Sequence, residues 1–208
     1  MRMRMLVIAF AFVAVSVQAF AAGSPQDTVK SFDDALIAAM KAGKSAGVQG
    51  RSAVVEPAID RAFDLAEMTR LILGSAGKAL APEQSAKIVA AFRLYTIANY
   101  AKNFEAFSGE RFEVDAPRPG GVGAIVVPGR LIPADGAQPV QLDYVLKGGE
   151  DQWKITDVLA EGAVSQMAAR RAEFVGILRK DGVDGLVATI EAKTKALTTE
   201  VKAPAGEH

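Results

Sequence analysis

Residues 140–159 read VQLDYVLKGGEDQWKITDVL, a pattern of strand, turn and strand. Leu142, Tyr144 and Leu146 alternate with Gln141, Asp143 and Val145. A period of two with one more apolar face marks a strand laid on a core. Gly148-Gly149-Glu150-Asp151 supplies turn chemistry, after which Trp153 to Leu159 resumes a run of aromatic, aliphatic and β-branched residues. Two antiparallel strands, Val140 to Lys147 and Trp153 to Leu159, are expected. Upstream, Arg111 to Val114 and Gly123 to Ile132 have the same character. Pro117-Arg118-Pro119-Gly120-Gly121 and Pro133-Ala134-Asp135-Gly136 lie between the runs, so the region predicts a four-stranded antiparallel meander.

Outside the meander the apolar period becomes three and four. Val29, Phe32, Leu36 and Met40 share a helical face, with Ser24-Pro25 as cap and first-turn residue. Glycines from Gly43 to Gly50 predict a break, followed by a second helix through Val54, Val55, Ile59 and Phe63. Asp64 caps a short third helix, Leu65 to Leu73, which Gly74 closes. Pro82-Glu83-Gln84 opens a long helix to about Phe107, carrying Ile88, Phe92, Tyr95, Tyr100 and Phe104. After the strands, Met167, Phe174, Ile177 and Leu178 restore helical spacing, and a last helix follows Asp181-Gly182 with Leu186, Ile190 and Leu197. Helices first and last around a block of strands give an α+β domain.

At the N-terminus, Arg2 and Arg4 precede an uncharged run, Met5 to Val17, and Ala19-Phe20-Ala21 has the small-residue spacing that signal peptidase accepts. The run is shorter than the about 20 residues of a bilayer-spanning helix. Residues 1–21 are therefore expected to be a cleaved secretory signal, 22–201 the domain, and 202–208 a disordered tail.

Composition removes much of ordinary enzymology. The 208 residues are 50% hydrophobic and 23% charged, enough for a real core. Lys plus Arg is 24 and Asp plus Glu is 24, a balance that argues against a nucleic-acid partner. There is no cysteine, and the single histidine is His208. Thiolate nucleophiles, cysteine metal sites, Ser-His-Asp triads and multi-histidine metal sites are thereby excluded. No catalytic residue, metal or cofactor is expected.

Motif tests agree. Gly74-Ser75-Ala76-Gly77-Lys78 would need Gly in place of Ile72 and Ser or Thr in place of Ala79 to form a phosphate-binding loop. Gly120-Gly121-Val122-Gly123 sits in a hairpin, away from any strand-to-helix turn. The acid pairs Asp33-Asp34 and Glu150-Asp151 read as solvated. Asp157 and Glu161 could serve as acid and base in a hydrolase, although hydrogen bonding to a turn accounts for them more simply. What stands out is apolar surface: aromatics on the long helix face Val126, Leu131, Leu142, Tyr144, Trp153 and Ile155 of the sheet. Periodicity alone does not distinguish a filled core from a cavity for an apolar guest.

Three segments together carry a resemblance. They are Val54-Val55-Glu56-Pro57 with Phe63-Asp64-Leu65-Ala66-Glu67-Met68 and Leu73-Gly74; Pro82-Glu83-Gln84 with Phe92 and Tyr100; and Tyr144-Val145-Leu146 with Trp153-Lys154-Ile155-Thr156-Asp157-Val158, Glu161-Gly162, Ser165, Arg171 to Phe174 and Gly182-Val183-Asp184-Gly185-Leu186. In this order they resemble the MlaC family, also called the toluene-tolerance (Ttg2D) or ABC-transporter auxiliary substrate-binding proteins. Two departures are visible: no aromatic lies between Ser75 and Lys78, and Arg170 stands where a tyrosine is common. Ser165 to Phe174 looks more like the hopanoid-biosynthesis-associated branch, HpnM.

The resemblance implies a mostly helical shell packed on a four-stranded antiparallel sheet and enclosing an apolar pocket. It also implies a periplasmic carrier of phospholipid or hopanoid. The partners implied are an MCE-domain protein of an inner-membrane ABC transporter and an outer-membrane lipoprotein complex. Moving lipid through water exposes hydrocarbon at ~0.8 kcal/mol per methylene, so ~30 methylenes face roughly 20 kcal/mol or more. A soluble cavity removes that exposure without nucleophile or metal. The pattern nominates Phe92, Tyr95, Tyr100, Phe104, Leu142, Tyr144, Trp153, Ile155, Phe174 and Leu178 as its walls. Arg171 would orient an anionic headgroup or pair with a structural acid. The competing reading is an interaction or assembly module with a fully packed core and no cargo.

Overall fold

The computed structural model describes residues 23–149 and 152–199. The expected signal, the expected tail at 202–208 and the Glu150-Asp151 pair lie outside the described residues. Five helices surround one face of a twisted antiparallel sheet: α1 Pro25–Ala42, α2 Gly47–Ala62, α3 Leu65–Leu73, α4 Pro82–Asn103 and α5 Gln166–Thr198. Among the described residues, no helix is long and apolar enough to cross a membrane.

Local chemistry sets most helix ends. Ser24 and Asp27 form a reciprocal capping box at the start of α1, with Pro25 in its first turn. The Asp64 carboxylate accepts from the Glu67 amide at 2.8 Å and starts α3 where expected. Gly182, at φ 71°, interrupts α5 at the predicted boundary between two helices. Two helical expectations are corrected. α2 begins at Gly47 and runs through Gly50, because buried Arg51 ties this turn inward: its Nε donates to the Ala101 carbonyl at 2.7 Å and its Nη1 to the Gly43 carbonyl at 2.8 Å. A cation at these carbonyl-rich helix ends is electrostatically favoured. α4 stops at Asn103 instead of continuing to Phe107, since Phe104 leaves helical geometry and its ring lies 6.2 Å from that of Phe112.

The sheet has seven strands in place of the four expected: β1 Arg111–Val114, β2 Arg118–Pro119, β3 Ala124–Val127, β4 Gly129–Ile132, β5 Val140–Gly149, β6 Gln152–Ala160 and β7 Val164–Ser165. The expected strand through Gly123 to Ile132 is split at Pro128, which has no amide hydrogen for the ladder. Its halves nevertheless keep one register along β5, from Ala124 opposite Lys147 to Leu131 opposite Val140. β1 and β2 run along the outer side of those halves. The seven strands thus trace four antiparallel paths, plus a two-residue β7 that pairs with the end of β6. The Phe63 bridge to Ile155 and the Asp64 amide, which donates to the Ile155 carbonyl at 2.9 Å, cover part of the remaining β6 edge.

Along β5, Tyr144 and Leu146 are buried on the helix-facing side, as the period-two pattern requires. They join Val29, Phe32, Leu36, Ile59, Ile72, Ile88 and Leu186 in a core with little or no exposure. The reversal after β5 depends on Gly148, at φ 148°, where a Cβ would stand 2.0 Å from the Gln152 carbonyl oxygen.

Candidate functional site: a half-enclosed apolar cavity

On α4, Phe92, Thr96, Asn99 and Asn103 recur at steps of four, three and four, with Tyr95 and Tyr100 beside them. That spacing places one stripe of α4 along a half-enclosed cavity of about 220 Å³. The opposite wall is Leu142 of β5 with Val158 and Ala160 of β6. Phe63 and Met68 close the inner end, and Gln166, Met167 and Arg170 from the first turns of α5 overhang it.

The corner between β6 and α5 is pinned by Asp157. Its Oδ1 accepts from the Val158 amide at 2.7 Å and the Met167 amide at 3.2 Å, while its Oδ2 accepts from the Ser165 hydroxyl. The Ser165 Oγ in turn accepts from the Ala168 amide at 2.9 Å, capping α5. Asp157 is therefore committed to a helix start. Glu161 occupies the adjoining turn at φ 55°, its amide donating to the Gln141 carbonyl at 3.0 Å.

The cavity is chemically graded. At its inner end Phe63, Met68, Phe92, Val158 and Met167 are buried, and none is ionisable. Toward the mouth stand the amides of Asn99, Asn103 and Gln166 and the Arg170 guanidinium. The inner wall continues into an aromatic cluster: Phe32 meets Phe63 edge-on at 4.8 Å and Tyr100 at 5.1 Å, and Tyr100 stacks on Phe104 at 6.0 Å. Tyr100 lies deep in the protein, and its accessible surface faces the cavity; burial raises its phenol above the usual range.

Behind this wall the structure holds a polar pair. The Tyr144 hydroxyl donates to Asp33 Oδ1 at 2.6 Å, and Asp33 is 2% exposed with no partner for Oδ2. Burial, with a smaller contribution from the neighbouring Asp34 charge, pushes the Asp33 carboxyl up to about 7 despite the Tyr144 hydrogen bond. Asp33 is thus not solvated, as its sequence neighbourhood suggested; α1 turns it inward beside Phe32 while Asp34 faces water.

Of the ten residues nominated from sequence, Phe92, Tyr95, Tyr100, Phe104 and Leu142 line the cavity. The others lie elsewhere in the core: Tyr144 holds Asp33, Ile155 backs Phe63, and Phe174 meets Phe92 edge-on at 6.4 Å. Leu178 is buried, and Trp153 packs against the core with its carbonyl accepting from the Thr28 hydroxyl at 3.4 Å. Arg171 points away from the cavity and donates from Nη2 to the Leu71 carbonyl at 2.5 Å, which satisfies the carbonyl end of α3. The residues missed were the inner Phe63 and Met68, the polar stripe members Thr96, Asn99 and Asn103, the strand residues Val158 and Ala160, and Gln166, Met167 and Arg170. The four-three-four spacing on α4 held a signal for three of them.

Comparison with known proteins agrees with this architecture. A phospholipid-binding protein from Ralstonia solanacearum, solved in complex with a phospholipid, superposes with a TM-score of 0.72 at 23% sequence identity, covering 85% of this chain and 100% of that one. The family model described as MlaC protein matches residues 30–192, from α1 into the last part of α5, and the chain belongs to the MlaC family.

Proposed function

We propose that this protein is a periplasmic lipid carrier: it shelters lipid tails in the cavity between α4, β5, β6 and α5, and it catalyses no reaction. The observation that carries this reading is the grading of that cavity, with a buried inner end free of charged groups and a polar mouth. An apolar chain entering it exchanges water for hydrocarbon contact, while a headgroup remains at the wet end. Membership of the MlaC family and the phospholipid bound by the Ralstonia relative support the same assignment.

The cavity of about 220 Å³ is smaller than the ~300–1,000 Å³ of typical small-molecule sites. Two tails therefore enter by displacing side chains. Met68 and Met167, flexible thioethers at the inner end, are suited to that movement. The cargo is phospholipid or hopanoid, carried between the outer and inner membranes. Net direction comes from partners that bind the lipid better or favour the open cavity, an outer-membrane lipoprotein complex and the MCE-domain protein of an ABC transporter in this reading.

A vesicle-to-vesicle transfer assay tests the proposal. Fluorescent phospholipid in donor vesicles should reach acceptor vesicles faster in proportion to added protein, through a pool of soluble protein-bound lipid. Transfer at the protein-free rate, with no lipid in the soluble fraction, would rule out carriage.

A further inference from the structure

We propose that the face of α5 turned away from the cavity is a docking groove for an α-helix of a partner protein, one that carries carboxylates about two turns apart. The groove shares no lining residue with the cavity, so the proposal goes beyond the carrier reading.

Gln166, Met167 and Arg170 of α5 overhang the cavity, whereas Arg171, Ala172, Val175, Gly176 and Arg179 lie on its other side and wall an open groove of about 290 Å³. The second wall is the end of α3 and the turn after it, Leu73, Gly74 and Ser75. That turn opens the Gly74 to Lys78 stretch, to which carriage assigns no role. Ala172 and Gly176, four residues apart, are both exposed, so no ridge of side chains fills this strip of α5. Nothing among the described residues requires glycine at 176. Its backbone is helical, where glycine is less favourable than alanine. Apart from its chain neighbours and its own helix backbone, no atom lies within 4 Å of the place a Cβ would take. Gly50 and Gly77 differ, since a Cβ at either would stand 2.9 Å from the side chain of Ala46 or Leu73. What the bare strip at 176 offers is close approach to a backbone from outside the chain.

The groove is also cationic. Arg171 and Arg179 stand eight residues, and so about 12 Å, apart along the helix. Among the described residues, no carboxylate lies within salt-bridge distance of either, and no acid lines the groove. Arg70, Arg93, Arg118 and Arg130, by contrast, each hold a carboxylate. Glu173, the acid nearest in sequence to Arg171, is engaged by Lys193 at 2.8 Å. Arg171 is positioned in advance: its Nη2 donates to the Leu71 carbonyl at 2.5 Å, and its Cζ would lie 3.8 Å from a Cβ at Gly74. Nε and Nη1 are left for a partner's carboxylate. A ridge of side chains on another helix fits the bare strip, and carboxylates seven or eight residues apart on that helix would reach both arginines. The two charges select an acidic partner and steer its approach.

The test places a photo-reactive amino acid at Ala172 of the full-length protein in its own host, with Val122, fully exposed between β2 and β3, as the control position. After irradiation, mass spectrometry maps the crosslinked segment. Ala172 should capture a helical segment of one other protein, with carboxylates seven or eight positions apart, which Val122 does not capture. Arg179→Glu and Gly176→Leu should each cut that product at least about tenfold. Both variants should keep the wild-type melting curve and lipid loading, because neither residue lines the cavity and the space beyond Gly176 is open. Arginine in place of the matching carboxylate of the partner should restore capture by Arg179→Glu. Undiminished capture by either variant, or a charge swap that restores nothing, overturns the proposal. So does capture of a second copy of this chain, of a segment without carboxylates, or of nothing. Wild type that carries no lipid would refute the carrier reading and leave each of these outcomes readable.

Discussion

Replacing Asp33 with asparagine should remove most of the pH dependence of folding between about pH 4 and pH 8. In the folded protein this carboxyl is buried behind the cavity wall, holds one hydrogen bond from Tyr144 and leaves Oδ2 without a partner. Its pKa rises from 3.8 in the ordinary range to about 7. Between those values the folded state keeps a proton that the unfolded chain releases, so stability falls as pH rises through the window. Below about pH 4 both states are protonated and the penalty is absent; above about pH 7 it is complete, at roughly 4 kcal/mol. The substituted amide cannot titrate, so the stability of Asp33→Asn minus that of wild type should increase by about that amount from pH 4 to pH 8. The sign at any one pH also depends on how well the amide replaces the Tyr144 contact, and the change across pH is therefore the readout. Urea melts followed by circular dichroism at both pH values measure it, and all other titrating groups cancel in the difference. An equal stability difference at pH 4 and pH 8 would mean that the buried carboxyl does not hold its proton as described.

Filling the cavity with Met167→Trp should cost about 1–3 kcal/mol of stability and sharply lower lipid loading, read by lipid extraction from the folded variant. Retained loading would place the lipid elsewhere. Gly148→Ala should lose about 3 kcal/mol or more, because φ is 148° and the new Cβ would collide with the Gln152 carbonyl; a chemical melt within about 1 kcal/mol of wild type would count against this. Asp157→Ala should cost about 1 kcal/mol, read in a urea melt, through the lost support of the α5 start, and leave lipid loading substantially in place, since among the described residues its carboxylate bonds the Val158 amide next to it and Ser165 and Met167 at the start of α5.

What the sequence made legible was mostly local. Asp64 starts α3, Gly182 interrupts α5, and Leu142, Tyr144 and Leu146 point one way from β5, because each depends on chemistry within a few residues. The split at Pro128 follows from one missing amide and was readable in principle. The helical turn through Gly50 was not, since its anchor is the Arg51 contact with Ala101, 50 residues away. Asp33 shows the same limit: an Asp-Asp pair reads as solvent-facing until Tyr144, 111 positions on, supplies its hydrogen bond. At the cavity, size and aromaticity marked five wall residues but could not tell a lining side chain from one packed a layer behind it. Asn99 and Asn103 are polar members of the same α4 stripe as Phe92, which an apolar pattern does not mark, and Gln166 and Arg170 reach the cavity from α5, more than 60 positions along the chain.

A lipid carrier must be found with a guest in its interior. Native mass spectrometry of the protein purified gently from its own host, followed by organic extraction, looks for that guest without any assumption about its identity. The prediction is a folded species carrying about one lipid molecule. A folded protein found repeatedly at its bare polypeptide mass, with no lipid recovered, would show that the cavity carries no cargo.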